Sequence, residues 1–307
     1  MISFLQSKAW RTFQQKLNRE TFTDNGDNWS YLAIKESGIL NTRLYAPYGP
    51  AVMDETSFDS AVTSLKKVAH QQGVTFIRVE PQSGVTTDYL KSHDFRPVTY
   101  QQLQPAHTQI IDLSHTKDEI LAAMSQNSRN ITRNYHKKGM TIRISHDPSE
   151  ITVLTSLLAR VAHRNHITPH SEEYFRTQTL ALFPIKAAAL YIAEFENTPI
   201  AAALVYDSAD TRTYAHAAAS DEYRKLSAGT ALVGQMILDA KDAGLKYFDL
   251  YGIAPNDNPK HPWAGFTRFK KSFGGKEVTY PGAWDLPLRP LQYRIYRTYQ
   301  SIRKKLR

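Results

Sequence analysis

Two opposite charges stand in apolar company towards the C-terminal end of the sequence. Asp249 interrupts the run Phe248-Asp249-Leu250-Tyr251-Gly252-Ile253, and Lys270 lies among the aromatics of the segment Gly265 to Gly275, GFTRFKKSFGG. An acid inside an apolar strand is costly unless it is paired or serves chemistry. Both roles are open for Asp249, and structural pairing is the commoner. A lysine among aromatics can hold an oxyanion or a phosphate, or it can snorkel its ammonium to solvent. If the segment is a strand, Phe269 and Lys270 face opposite ways.

A second group is basic. Arg129, Arg133 and Lys137 recur at every fourth position, so a helix places them on one face, which Lys138 and Arg143 extend. No acid lies between Gln126 and Arg143. Like charges four apart cost a helix a few tenths of a kcal/mol per pair, which suits an anionic partner as well as a solvated face. Arg224 to Ala231 puts basic and small residues ahead of an apolar helix, where amides can meet a phosphate or Ser227 can serve only as a cap. The 11 His are scattered. His163 and His166 lie three apart with no third ligand in view, and no HExxH spacing occurs. GxSxG, GxGxxG and GxxxxGK[ST] are also missing from the sequence, so serine-hydrolase, dinucleotide and P-loop readings lack support.

The elements that must position these residues alternate between helix and strand. Helical spacing runs from Phe4 to Leu17. Trp29–Lys35 and Ile39–Ala46 predict a hairpin turned at Ser37-Gly38, and Pro47-Tyr48-Gly49-Pro50 a rigid turn. Ser57–Gln72 predicts an amphipathic helix and Val74–Val79 a short strand ending at Glu80-Pro81. A second unit begins near Pro105. Its predicted elements are a strand at Gln109–Leu113, one long helix over Lys117–Lys138, a strand at Met140–Ser145 and helices over Ile151–Asn165 and Glu172–Leu182. Strands at Ala187–Phe195, Pro199–Asp207 and Thr211–Ala218 follow, then a helix at Ser227–Ala243 and a strand at Tyr247–Tyr251. After Pro290 a helix would align Leu291, Ile295, Ile302 and Leu306 on one face, with Arg294 and Arg297 opposite. Both halves contain helix, hairpin, helix and strand in that order, which suggests two copies of one mixed α/β module.

Composition sets the outer bounds. The 307 residues suit about two domains of roughly 150 residues. A hydrophobic share of 41% with 22% charged residues is ordinary for a globular chain. Zero Cys excludes disulfides, thiolate metal sites and a thioester intermediate. No apolar run approaches the roughly eighteen residues of a membrane span, and Met1 to Trp10 has no long apolar core, so neither a secreted nor a membrane-spanning protein is expected. With 38 Lys+Arg against 29 Asp+Glu, the net charge of +9 suits a polyanionic partner. Leu286 to Arg307 holds seven Lys/Arg and no acid.

Taken in order, these pieces resemble the Fem family (FemA, FemB, FemX), transferases that build peptidoglycan interpeptide bridges. The resemblance rests on Gln6-Ser7 with Trp10, YAPYGP at 45–50, FIRVEP at 76–81, TQIIDL at 108–113 and NSRNITRNYHKKG at 127–139. It continues in DLYGI at 249–253, GFTRFKKSFGG at 265–275 and Tyr280-Pro281-Gly282. These cover nearly the whole chain. The resemblance implies α/β architecture: two GNAT-like acyltransferase modules with mixed sheets, residues 1–105 plus 286–307 forming the first and 106–285 the second, the C-terminal helix returning to the first.

It further implies an aminoacyltransferase that moves Gly, Ala or Ser from aminoacyl-tRNA to an amino group of a peptidoglycan precursor, without metal or cofactor. The enzyme would act as a cytoplasmic monomer, with peripheral contact at the inner membrane face. The family's Phe-Lys motif maps to Phe269 and Lys270, the lysine being the cation near the reacting centre. Asp249 would orient a neighbour or take a proton. Precursor contacts map to Tyr174, Tyr214 and His216, the last a position where tyrosine is common. Arg129, Arg133, Lys137 and Lys138 would meet tRNA.

Two departures concern the acceptor. Members using a soluble nucleotide-linked precursor carry a Lys four residues after the early Trp and an Arg four residues before the site tyrosine. This sequence has Gln14, with Lys16 nearby, and His170. The loss of two fixed charges favours lipid II over the soluble nucleotide-linked muramyl peptide. Three other readings remain: an acyl-CoA N-acyltransferase using Arg224–Ala231, a non-catalytic tRNA-binding protein, and a peripheral membrane protein resting on the tail.

Overall fold

The computed structural model describes residues 2–101, 103–165 and 169–305. It divides into two compact units, one of Ile2–Ala106 with Thr279–Arg307 and one of His107–Val278. The first opens with α1 (Lys8–Lys16), β1 (Thr21–Gly26), β2 (Trp29–Gly38), β3 (Asn41–Ala46), β4 (Ala51–Val52), α2 (Glu55–Gln71), β5 (Phe76–Val79), α3 (Thr87–Ser92) and β6 (Arg96–Pro97). The second runs through β7 (His107–Asp112), α4 (Lys117–Ala123), α5 (Gln126–Asn134), β8 (Met140–Ser145), α6 (Ile151–Asn165) and α7 (Glu172–Leu182). It continues through β9 (Ala188–Phe195), β10 (Thr198–Asp207), β11 (Thr211–Ala219), α8 (Ala228–Asp242), β12 (Tyr247–Gly252), α9 (Ala264–Lys271) and β13 (Lys276–Thr279). β14 (Trp284–Pro287) and α10 (Pro290–Lys305) then belong to the first unit. The sequence division placed residues up to 285 in the second module. Trp284 and Asp285 instead pair with Val79 and Arg78 of β5.

The first sheet has the order β1-β2-β3-β5-β14-β6, with β4 on β2. β3 and β5 are parallel, so a crossover is required, and α2 supplies it. Asp54 caps α2 through the Ser57 amide in a reciprocal capping box. Phe58, Ala61, Val62, Leu65 and Ala69 then fall on one face and are buried against Ile77, Val79 and Leu44.

The opposite face of β5 carries Phe76, Arg78 and Glu80. Phe76 packs on Tyr293 and Tyr296 of α10. Arg78 donates to both carboxylate oxygens of Asp285, at 2.7 and 2.9 Å, with neither side chain exposed. Tyr100 and Tyr293 donate to the same carboxylate at 2.9 and 3.0 Å. The tail helix is therefore held by its tyrosines, whereas Leu291, Ile295 and Ile302 of the aliphatic face are exposed and Leu306 lies outside the described residues. Beside the pair, Tyr45 donates to buried Glu80 at 2.6 Å. Burial pushes the Glu80 carboxyl up to about 7, against the opposing pull of Tyr45.

The second sheet has the order β13-β7-β12-β11-β10-β9-β8. It repeats the scheme: β11 and β12 are parallel, and α8 crosses between them. Ala231, Leu232, Met236 and Ile237 of α8 fill a core with Val205, Phe248 and Phe273. The single helix expected over 117–138 is broken. Met124 is extended, Ser125 caps α5 through the Ser128 amide, and the Ser125 N–H is drawn to the Ser272 carbonyl. Tyr135–Lys138 tightens into a 3-10 turn. The expected helix from Phe4 also begins later, at Lys8, where Ser7 caps it.

Two tests address the first unit. Asp285→Ala strands a buried guanidinium and should cost about 3–5 kcal/mol in urea unfolding, whereas Arg78→Met with Asp285→Leu should cost much less. Glu80 titrates near 7 when folded and near 4.5 when unfolded, so the native state holds its proton longer. Its contribution to stability should fall as pH rises from about 4.5 to 7, and Glu80→Gln should flatten that slope.

Candidate active site

The parallel pairing of β11 with β12 covers only Thr211–Thr213 against Tyr247–Asp249, although both strands run further. Beyond that point the two strands part at their C-terminal ends. In open α/β sheets this is the edge where ligands bind. Asp249 is the last residue of β12 paired with β11, and Tyr214 and His216 follow the split on β11.

Asp249 is buried and gathers donors from two strands. The Thr108 hydroxyl on β7 donates to its Oδ1, and the Tyr251 amide does so at 2.7 Å. Burial raises the Asp249 carboxyl, while Thr108, the Tyr251 amide and the charge of Lys270 draw it back. The amide contact fits the backbone: Tyr251 has φ +64°, a conformation costly for a residue with a side chain. The β12–β7 register shifts between Asp249 and Gly252. This bulge re-aims the strand end, and the Gly252 carbonyl accepts from the Lys270 ammonium at 2.7 Å.

Lys270 stands on a helix, α9, so the strand alternative for this segment does not apply. Gly274 and Gly275 pass so close to the Ala123 and Ile110 carbonyls that a Cβ would meet them at 2.9 and 2.3 Å, and both have φ +82°. The chain can thus turn tightly out of α9 and dock on β7. Thr267 fixes the helix at the other end by accepting the Ala254 N–H at 2.7 Å and donating to the Trp263 carbonyl at 2.9 Å. Phe269 and Phe273 pack edge to face at 5.3 Å on the core. Phe269 therefore anchors α9, with Lys270 one position further round. Burial pulls the Lys270 ammonium down to about 8, against the opposing effect of Asp249. Near neutral pH it is charged, but it loses its proton far more readily than a solvated lysine.

A separate aromatic cluster lies against α7. His170 stacks on Tyr174 with centroids 4.0 Å apart, and His216 meets Phe175 at 4.9 Å, His170 at 6.0 Å and Tyr206 at 6.3 Å. Burial and the nearby His170 pull His216 down to about 3, so it is a neutral imidazole at physiological pH. Tyr214 is not part of this cluster. Leu204 pairs with His216 and Val205 with Tyr214, so the bulge at Ala215 turns the two residues to opposite faces. Tyr214 packs on the α8 side with its hydroxyl pushed up by burial.

The remaining sequence candidates are distributed differently. Gln14, on α1 of the first unit, is buried and its side-chain oxygen accepts from Arg19 at 2.8 Å. Arg19 thus brings a positive charge beside Gln14, while Lys16 is exposed. Arg129 and Arg133 share a face of α5. Arg129 donates to the Ala122 carbonyl at 3.2 Å and Arg133 approaches Asp118 at 3.7 Å. Lys137 and Lys138 leave that face because the helix tightens there, and both are exposed. Ser227 occupies the cap position of α8 with φ +57°, yet its side chain makes no cap bond. His166 lies outside the described residues. Among the described residues no group of three His, Asp or Glu could hold a metal ion. Thr108 and Thr267 escaped the sequence reading, since threonine in a strand or helix is unremarkable until its partner is known.

Comparison with known proteins adds four findings. The FemAB family model matches residues 90–197 and 184–301. A segment of 85 residues, 28% of this chain, is 29% identical to "Aminoacyltransferase FemA" of Staphylococcus epidermidis and spans only 20% of that protein. Among solved structures, a crystal structure of FemX superposes with a TM-score of 0.84 at 16% identity, over 95% of this chain and 94% of that one. A tandem GNAT protein from the clavulanic acid biosynthesis pathway gives 0.50 at 13% identity over 85% and 79%. The fold is accordingly that of two GNAT-like modules.

The coupling of Asp249 to Lys270 is directly measurable. After reductive dimethylation with labelled formaldehyde, the NMR signal of Lys270 should titrate near 8 and move lower in Asp249→Asn, because the carboxylate favours the ammonium. An unchanged midpoint in the variant would show that the two groups do not interact.

Proposed function

Because the chain belongs to the FemAB family, we propose that it is an aminoacyltransferase of peptidoglycan bridge synthesis, moving Gly, Ala or Ser from aminoacyl-tRNA to an amino group of lipid II. The observation that carries this reading is the Lys270 ammonium, half-buried at the split end of a parallel strand pair, held by the Gly252 carbonyl and favoured by the charge of Asp249. An aminoacyl ester is already activated, so the protein need only position an amine and stabilise a tetrahedral oxyanion. The acceptor nitrogen attacks the ester carbonyl and the oxyanion forms beside Lys270. The C–O bond to the tRNA ribose then breaks as the amide C–N bond remains. The proton lost by the amine ends on the released ribose hydroxyl. With no Cys in the chain, the route has no thioester.

In this reading Asp249 is a positioning residue that keeps Lys270 charged in a half-buried setting. The cluster of His170, Tyr174 and His216 offers stacking faces and one neutral imidazole to the precursor. Arg129, Arg133, Lys137 and Lys138 contribute sequence-independent attraction to tRNA phosphates. The lipid-linked acceptor is supported by His170, a histidine where members using a soluble precursor carry an arginine. Arg19 weakens the companion inference from Gln14.

The test is a transfer assay with tRNA carrying radiolabelled Gly, Ala or Ser and, separately, lipid II or the soluble nucleotide-linked muramyl peptide. Label should move to lipid II. Lys270→Met should lower the turnover by about 10²–10³ with tRNA binding retained. Because the ammonium is the active form, the rate should fall as pH rises through about 8, and Lys270→Arg should move that limb upward. Transfer to the soluble precursor alone would refute the acceptor assignment. Tight tRNA binding with no transfer to either acceptor would refute the enzyme.

A further inference from the structure

α10 has two faces of different character. Its inward face is aromatic, with Tyr293 and Tyr296 buried against Phe76. Its outward face is aliphatic: Leu291, Ile295 and Ile302 are 72%, 52% and 55% exposed. These positions, at i, i+4 and i+11, fall within one narrow stripe of a helix. The tip of the β2–β3 hairpin presents Ile39 and Leu40, 84% and 41% exposed. Ile39 and Leu40 line one groove with Arg289, Gln292 and Ile295. Two elements of the first unit thus offer aliphatic side chains to the same stretch of surface, although this unit has an ample core of its own.

The charges carried by α10 have one sign, and Glu36 of the neighbouring hairpin is paired with Arg43. Arg289 and Arg294 are exposed at the edge of the stripe, and Arg303 continues the basic character. Arg297 turns inward over the Tyr100 ring and does not contribute. The sequence from Leu286 to Arg307 contains no acid. An aliphatic stripe bordered by arginines matches the interface of an anionic bilayer, where apolar side chains enter the acyl boundary and cations meet headgroup phosphates. Nucleic acid would use the arginines but gains nothing from Leu291, Ile295 or Ile302, since its surfaces favour aromatic stacking partners. A second copy docked about a two-fold axis would bring the same arginine-bordered stripe against itself.

We propose that the outward face of α10, with the Ile39-Leu40 hairpin tip, is a docking surface for anionic membrane lipid. The protein would rest on the bilayer by one helix lying in the interface, since no helix among the described residues is long and apolar enough to cross it. This surface does not depend on the transferase reading and would serve any reaction whose substrate is embedded in the membrane.

Cosedimentation of the full chain with vesicles tests it, using phosphatidylcholine alone and phosphatidylcholine mixed equally with phosphatidylglycerol. The expected result is binding to the mixed vesicles at least about tenfold tighter than to the neutral ones, weakened by salt. Leu291→Ser with Ile295→Ser should weaken that binding at least about tenfold, and Ile39→Ser, on a different element, should weaken it too. Both variants should keep the wild-type thermal midpoint and tRNA affinity. Equal binding to both vesicle types, no binding, or variants that bind like wild type would each overturn the proposal. So would a dimer in solution that Leu291→Ser with Ile295→Ser dissolves, which would assign the face to a second copy. The readout needs no transfer activity, so a failure here is distinguishable from a failure of the proposed reaction.

Discussion

A carboxylate buried in an apolar strand must find donors, and much of the candidate active site is arranged around meeting that need at Asp249. Thr108 approaches from the neighbouring strand, the Tyr251 amide folds back from two residues on, and Lys270 adds its charge from α9. Each of these donors is itself committed. The amide can reach only because Tyr251 accepts a left-handed conformation, and that kink helps direct the Gly252 carbonyl towards Lys270. Thr267 and the Gly274-Gly275 turn then fix the two ends of α9. The cation at the strand split is therefore held by a backbone segment whose course is set by one desolvated acid.

The two units place charge at equivalent points and treat it differently. In each, the strand that follows the crossover helix has an antiparallel neighbour on its other side and carries a buried ionisable group: Arg78 on β5, Asp249 on β12. In the first unit the neighbour contributes Asp285 and two tyrosines close over the pair, with one guanidinium nitrogen of Arg78, Nη1, buried without a hydrogen-bond partner. In the second the neighbour contributes a neutral threonine, and the compensating charge comes from a separate helix beside an open strand edge. One arrangement is a structural clamp. The other keeps a cation of reduced pKa where a ligand can reach it. Repetition of a module does not entail repetition of its chemistry.

Much of this was legible in the sequence because the signals were local. Hairpins, both crossover helices and the parallel strands follow from periodicity and turn residues. Asp249 and Lys270 stand out because each contradicts its surroundings. What was hidden depends on partners far away in sequence. β1 is a polar edge strand with no alternation to reveal it, and β14 is four residues ending in proline. The break at Ser125 arises from a hydrogen bond to Ser272, and the helical state of 264–271 from docking through Thr267 and the following glycines. The bulge at Ala215 lies between Tyr214 and His216, whose spacing of two reads as unbroken alternation. In the tail, the aliphatic alignment does not show that the tyrosines face inward, where both pack on Phe76 and Tyr293 donates to Asp285.

β14 lies some 200 residues after the strand it completes, with the Arg78–Asp285 contact spanning 207 positions. The second unit is continuous in sequence and needs nothing from beyond it to fill its sheet. The first, although it starts earlier, has an open edge at β5 and an uncompensated guanidinium until the last segment is in place. Order of synthesis and order of completion are thus reversed: the unit begun first is finished last, and it must wait with an exposed strand edge while the whole of its companion is made.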